Sequence, residues 1–167
     1  MPAGFELTNS PALLATRRDV SRPLVLLSSS GTRLMYAIGR RDAAYFACFR
    51  NYSATIEHLA HNHEAVTLIG AGTHGDFREE DQLCCAWIAA GLIQAGFAPE
   101  DDVTRCLVER WGTASHGAFL MSRSVAYLQR SGQLRDLDFI LRHLDDVSAP
   151  GRIVASGDTT CAVAARM

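Results

Sequence analysis

The sequence predicts an α/β fold in which a mostly parallel or mixed sheet is covered by helices on both faces. Three observations carry that expectation. Residues 23–29 ("PLVLLSS"), 43–49 ("AAYFACF") and 65–69 ("AVTLI") are short runs that are almost wholly apolar, as strands buried on both faces are. Stretches of helical length separate and follow these runs. Turn residues punctuate the boundaries, among them Ser30-Gly31-Thr32 after the first run and Gly70 to Gly75 after the third.

Taken in order, residues 33–38 have room for one or two helical turns. Asn51 or Ser53 is a cap for a helix over residues 54–61, with Ile56, Leu59 and Ala60 facing inward. A long helix is predicted over residues 78–94. Asp76 is placed to cap it, Glu79 follows at the capping-box spacing, and Gly96 stands where a C-terminal glycine belongs. Two or three further helices are expected between Pro99 and Leu144, followed by strand-like "RIVAS" and "TCAVAA". No repeat or interdomain linker interrupts this order, and 167 residues suit a single domain over 1–167.

Bulk properties exclude several classes of function. Hydrophobic residues make up 48% and charged residues 20%, as in an ordinary globular chain. A net charge of −2 gives no global attraction to nucleic acid or anionic lipid. The longest apolar run, residues 83–93, falls short of the roughly 20 residues that span a bilayer. No secretion signal opens the chain, and the five cysteines are odd in number with no C-x-x-C, so reduced, mostly buried thiols in the cytoplasm are expected.

"VTLIGAGTHGDFREED", residues 66–81, has the written form of a dinucleotide turn, G-x-G-x-x-G after a strand. Two features argue against that reading. The acidic residue that would hold a ribose falls about 20 positions on, at Glu100 to Asp102, with no strand before it. The helix start also carries Asp76, Glu79, Glu80 and Asp81. A carboxylate about 4 Å from a phosphate costs about 4 kcal/mol at an effective dielectric of 20, against about 1–2 kcal/mol returned by the helix dipole. Capping accounts for Asp76 and Glu79 but leaves Glu80 and Asp81 over. One or two carboxylates with waters and a substrate phosphate is how Mg²⁺ is usually held.

Other candidates are weaker. His58 and His61 share a helical face beside His63, a conceivable metal pair that equally suits a helix C-terminus. His74 and His116 sit in glycine-flanked loops. Ser30, Gly31, Thr32 and Arg33 directly follow a strand, an arrangement that cradles an oxyanion or simply makes a tight turn.

Together, "GFELTNSP" at residues 4–11, "LLSSSGTR" at 26–33, "ACFRNYSA" at 47–54 and "GAGTHGDFREEDQLCCAWIA" at 70–89 resemble, in order and spacing, the 2-phosphosulfolactate phosphatase family. These are the Mg²⁺-dependent acid phosphatases of coenzyme M biosynthesis. The resemblance implies a three-layer α/β/α fold, a Mg²⁺ cofactor and hydrolysis of a phosphate ester on a small anionic acid. It makes Glu80 and Asp81 metal and catalytic residues and Arg33 a catalytic residue. Asn9, Ser30, Gly31, Thr32, Asn51 and Gly72 become the substrate lining.

Three departures accompany the match. Ser30 replaces an asparagine, and Trp87 stands where the family commonly has glycine. The family's N-terminal region, with an "Asp-Val-Leu-Arg-Ala-Thr"-like strand, has no counterpart ahead of "GFELTNSP", so part of the metal or phosphate site is expected to be missing. An exposed apolar edge would follow from that, and with it a homo-oligomer. The alternative is a non-catalytic or truncated α/β domain that binds a small anionic metabolite.

Overall fold

A computed structural model describes residues 3–19, 21, 24–26, 28, 31–38, 43–73, 76–156 and 159–164. Among these, the helices are α1 (Pro11–Leu14), α2 (Gly31–Ile38), α3 (Tyr52–Asn62), α4 (Glu79–Gln94), α5 (Asp102–Trp111), α6 (Arg123–Arg130) and α7 (Leu134–Arg142). A 3₁₀ helix occupies His116–Met121, and the strands are β1 (Tyr45–Phe46), β2 (Gly151–Ser156) and β3 (Thr159–Ala164). The fold mixes helices and strands, as expected.

The sheet differs from expectation. Its three strands run in the order β1-β2-β3 and both pairings are antiparallel, with Phe46 opposite Gly151 and Val154 opposite Cys161. The ring of Phe46 lies where a Cβ on residue 151 would stand, 2.1 Å away, so only glycine admits this crossing. Residues 65–69 form no strand, because no ladder partner reaches their backbone among the described residues. Their side chains still behave as one face of a strand: Val66 and Leu68 pack on the core, while Ile69 is 53% exposed. Leu24, Val25 and Leu26, expected in a buried strand, are likewise exposed and unladdered.

α4 is the central element. It is apolar on every side, burying Leu83, Ala86, Ile88, Ala89 and Leu92, as a helix surrounded by protein must. One cluster joins Ile88 and Leu92 to Leu59 of α3; a second joins Leu83 to Phe119 and Val125. α3 comes so close that a Cβ on Gly91 would meet Ile56 Cδ1 at 2.6 Å. Trp87 fills space in the second cluster beside Phe49 and Tyr52, and its indole donates to the Ala114 carbonyl at 3.0 Å.

The two ends of α4 diverge from one another in how they match the sequence. At the C-terminus Gly96 takes φ +104, and the Phe97 amide donates back to the Leu92 carbonyl at 3.0 Å. At the N-terminus Asp76 is not the cap. It exchanges backbone hydrogen bonds with Thr73 in an isolated bridge, and the cap position is Arg78, without a side-chain cap bond. Cys48, Cys84, Cys85 and Cys106 carry free thiols, and Cys48 and Cys106 are exposed rather than buried.

Candidate functional site

An open, largely apolar cavity of about 1070 Å³ is lined by the extended segment 65–71, the first turns of α4, and residues of α2, α3, β1, α6 and α7. Gly70, Ala71, Glu80 and Asp81 stand on its wall, and Gly31 of α2 opens onto the same space. The glycine segment is held to the helix start by one bond: Asp81 Oδ2 accepts from the Gly72 amide at 2.8 Å. Gly72 has φ +60, and Gly70 lies 3.3 Å from the Asp81 Cβ when a Cβ is built on it, so both glycines permit the close approach.

Burial raises the Asp81 carboxyl above the usual range; the Gly72 amide pulls it back, the Glu80 charge pushes it up and the Arg78 charge lowers it. Burial also pushes the neighbouring Cys84 thiol up strongly, and Cys85 up to about 11, so neither is a thiolate nucleophile. Three polar atoms at this corner are shielded from solvent and have no hydrogen-bond partner among the described residues: Glu79 Oε2, Glu80 Oε2 and Arg78 Nε. Arg123 of α6 closes the corner from outside, donating to the Phe77 carbonyl at 3.0 Å and standing 4.0 Å from Glu79 Oε1.

Carboxylate oxygens shielded from water and lacking a donor suit a cation, and that signal falls on Glu79 and Glu80 rather than on Asp81, whose Oδ2 is occupied by the Gly72 amide. Among the described residues no group of three or more His, Cys, Asp or Glu converges as a metal site. Two carboxylates completed by water and phosphate need no third protein ligand.

The other residues singled out in the sequence are dispersed. Thr32 donates its hydroxyl to the Ser28 carbonyl, and Arg33 is exposed on α2. Asn9 is exposed beside Ser10, whose hydroxyl donates to Asp136 Oδ1 at 2.6 Å. Asn51 is buried at 3% exposure and its amide is spent on backbone: it accepts from Cys48 N at 2.8 Å and faces the Phe46 and Ala149 carbonyls at 3.4 and 3.5 Å. Ser30 and His74 lie outside the described residues. His116 opens the 3₁₀ helix beside a separate cavity of about 380 Å³. His61 bonds its own helix at the Glu57 carbonyl, so the histidine that joins His58 is His63, across the Tyr45 ring.

Arg78, Arg123 and Asp136 were missed in the sequence. Arg78 adjoins the acidic triplet in "FREED", and that adjacency was its available signal. Nothing in the sequence announces Arg123 or Asp136, whose contacts lie 46 and 126 residues away.

No helix among the described residues is long and apolar enough to cross a membrane. A chain from Pseudothermotoga lettingae, described as a "Probable 2-phosphosulfolactate phosphatase", is 39% identical over 91 residues, covering 54% of this chain and 39% of its own length. One from Synechococcus sp. (strain WH7803) with the same description is 25% identical over 142 residues, covering 83% of this chain and 58% of its own. One from Trichormus variabilis, again so described, is 29% identical over 100 residues, covering 59% and 41%. The chain thus spans between about two fifths and three fifths of the length of these relatives. The family described as 2-phosphosulpholactate phosphatase matches residues 1–148, and the chain belongs to that family.

Proposed function

We propose that the protein is a Mg²⁺-dependent phosphatase that hydrolyses the phosphate ester of a small anionic acid, 2-phosphosulfolactate, to sulfolactate and phosphate. One observation supports this above the others. Glu80 has a shielded carboxylate oxygen with no donor among the described residues, directly beside Asp81 on the wall of the cavity behind the glycine segment. Family membership and the relatives' descriptions point the same way.

In this reading Glu80 and Asp81 hold the cation, and the Gly72 amide orients the Asp81 carboxylate by occupying Oδ2. Mg²⁺, when bound, supplies charge neutralisation of the phosphoryl oxygens. The carboxylates orient a water toward phosphorus. As its oxygen bonds to phosphorus the ester P–O bond breaks, the water loses a proton and the leaving alkoxide gains one. Arg33, Thr32, Asn9, Ser30 and Gly31 remain substrate contacts on the strength of the resemblance. The three-layer arrangement, a cytoplasmic location and self-association through exposed Leu24, Val25 and Ile69 belong to the same proposal.

A second reading, an anion-binding domain without turnover, draws support from Asn51, whose amide is committed to backbone, and from Arg33, exposed on a different element. Phosphate release from 2-phosphosulfolactate and from an aryl phosphate separates the two, measured with and without Mg²⁺ and alongside Glu80→Gln and Asp81→Asn. Metal-dependent turnover lost in both variants supports the phosphatase. A folded chain that binds phosphate without releasing it from either ester supports the second reading.

A further inference from the structure

We infer that His58 and His63 form a binding site for a late first-row divalent cation, Zn²⁺ or Cu²⁺, beside the Tyr45 ring. This does not rest on the phosphatase reading and concerns a different place in the fold. Tyr45 packs on the cluster of Leu59, Ile88 and Leu92, and Ile88 lies about 12 Å along the α4 axis from Glu80. In the sequence, "EHLAHNHE" pairs His58 with His61, three residues on and on the same helical face. The structure pairs it with His63 instead. In a continuous helix His58 and His63 would stand about 140° apart around the axis. α3 ends at Asn62, however, and His63 takes φ −138 and ψ 141, so the chain turns extended there and brings the second ring back beside the first. The two imidazole centroids are 6.1 Å apart, with the Tyr45 ring 4.9 Å from His58 and 5.6 Å from His63.

Two imidazoles on one ion, with metal–nitrogen bonds of about 2.0–2.1 Å, have centroids about 5–6.5 Å apart. The observed spacing falls inside that range. The ring nitrogens are also available. His58 Nε2 is shielded from solvent with no hydrogen-bond partner among the described residues, a costly state for a polar atom unless a ligand meets it. The Tyr45 ring, inclined at 61° to the imidazole, offers only the weak partner that an aromatic face makes. His58 Nδ1 stands 3.4 Å from the Asn62 amide nitrogen, whose shorter bond goes to the His58 carbonyl at 2.8 Å, so no strong bond fixes the ring proton on Nε2. His63 is oriented from one end: its Nε2 meets the Tyr45 hydroxyl at 3.3 Å, which leaves Nδ1 for a ligand. One nitrogen held by the protein and the other on the metal is the usual state of a ligating histidine. Tyr45 and His63 both line the large cavity, which gives the ion a way in. Imidazole nitrogen favours Zn²⁺ and Cu²⁺, whereas Mg²⁺ takes oxygen, so this site and the carboxylates of α4 select different ions.

The test titrates Zn²⁺ and Cu²⁺ calorimetrically into the full, tag-free chain and compares His58→Gln, His63→Gln, Tyr45→Phe and His61→Gln. His61 is exposed and bonded to the Glu57 carbonyl of its own helix, so it controls for a surface histidine. The parent should bind one ion that depends on both histidines, Cu²⁺ more tightly than Zn²⁺. His58→Gln and His63→Gln should each weaken Zn²⁺ binding at least about 10-fold, Tyr45→Phe should weaken it by a smaller factor, and His61→Gln should leave it within about twofold. Circular dichroism checks that each variant folds. Should either His58→Gln or His63→Gln fail to fold, electron paramagnetic resonance of Cu²⁺ on the His61→Gln chain decides: two imidazole nitrogens on the copper support the site, and one or none overturns it. A parent that binds neither ion overturns it as well. So does Zn²⁺ affinity unchanged in His58→Gln or in His63→Gln, or a loss in His61→Gln as large as in the other two.

Discussion

The Gly72 amide and the Asp81 carboxylate, nine residues apart and joined at 2.8 Å, tie the glycine segment to the first turn of α4. The bond forms only because residue 72 adopts φ +60 with its Cα turned toward the Asp76 carbonyl, 2.8 Å from where a Cβ would be. Gly72→Ala should therefore cost about 1–3 kcal/mol of stability, from left-handed strain and the backbone clash together. Urea denaturation reads the loss. A variant as stable as the parent would mean the segment relaxes freely and does not fix Asp81.

Asp81 itself makes stability depend on pH. Its carboxyl is raised in the fold, chiefly by burial, so between the unfolded and folded values the native chain holds more proton than the unfolded chain. Stability contributed at this position consequently falls as pH rises through that window and stays lower above it. Asp81→Asn keeps an oxygen for the Gly72 amide and removes the charge. Without Mg²⁺ it should melt higher than the parent at pH 7, with the difference vanishing below about pH 4, where the carboxyl is protonated in both states. Phosphatase activity should be lost at every pH. A variant that melts lower at pH 7 would show that the charge stabilises the fold.

What could be read in the sequence follows from how local each cause is. The body of α4 and its end at Gly96 were legible because apolar spacing and a left-handed glycine act within a few residues. Its start was not, because Asp76 serves Thr73 rather than the helix, a choice between two local partners that composition does not reveal. Residues 65–69 show that apolar character locates a segment with one face on the core, through Val66 and Leu68, but a strand also requires a ladder partner, and none reaches them among the described residues. Asn51 carries the same lesson into the site. An asparagine in a small-residue segment reads as a ligand contact until the Phe46 and Ala149 carbonyls, 5 and 98 residues away, are seen to face its amide. The acidic pair Glu80–Asp81 was singled out because capping did not account for it, and the structure places both residues on the cavity wall.

Gly91 sets how closely α3 approaches α4. Replacing it by alanine adds about 1 kcal/mol of helix propensity, but the new methyl would stand 2.6, 3.0 and 3.1 Å from three carbons of Ile56. Overpacking of this kind costs about 1–3 kcal/mol, so Gly91→Ala should be net destabilising. In the Ile56→Ala background the clash disappears and the propensity gain remains. The double variant should then be more stable than Ile56→Ala alone, a coupling that a double-mutant cycle in urea measures directly. Additive costs would place the close approach somewhere other than Ile56.

The N-terminal segment is secured by a buried carboxylate. Asp136 of α7, 5% exposed, accepts at one oxygen from the Ser10 hydroxyl at 2.6 Å and the Ala12 amide at 3.0 Å, while Ser10 caps α1 at the Leu13 amide. Asp136→Ala strips both donors of their acceptor and should cost about 1–3 kcal/mol. Asp136→Asn retains an acceptor oxygen without the charge, and charge-assisted bonds are about twice as strong as neutral ones, so its stability should fall between the alanine variant and the parent. Limited proteolysis adds a local readout: cleavage within residues 3–19 should quicken in the same order. If the asparagine variant proves no better than alanine, the negative charge rather than the acceptor geometry holds this segment on α7.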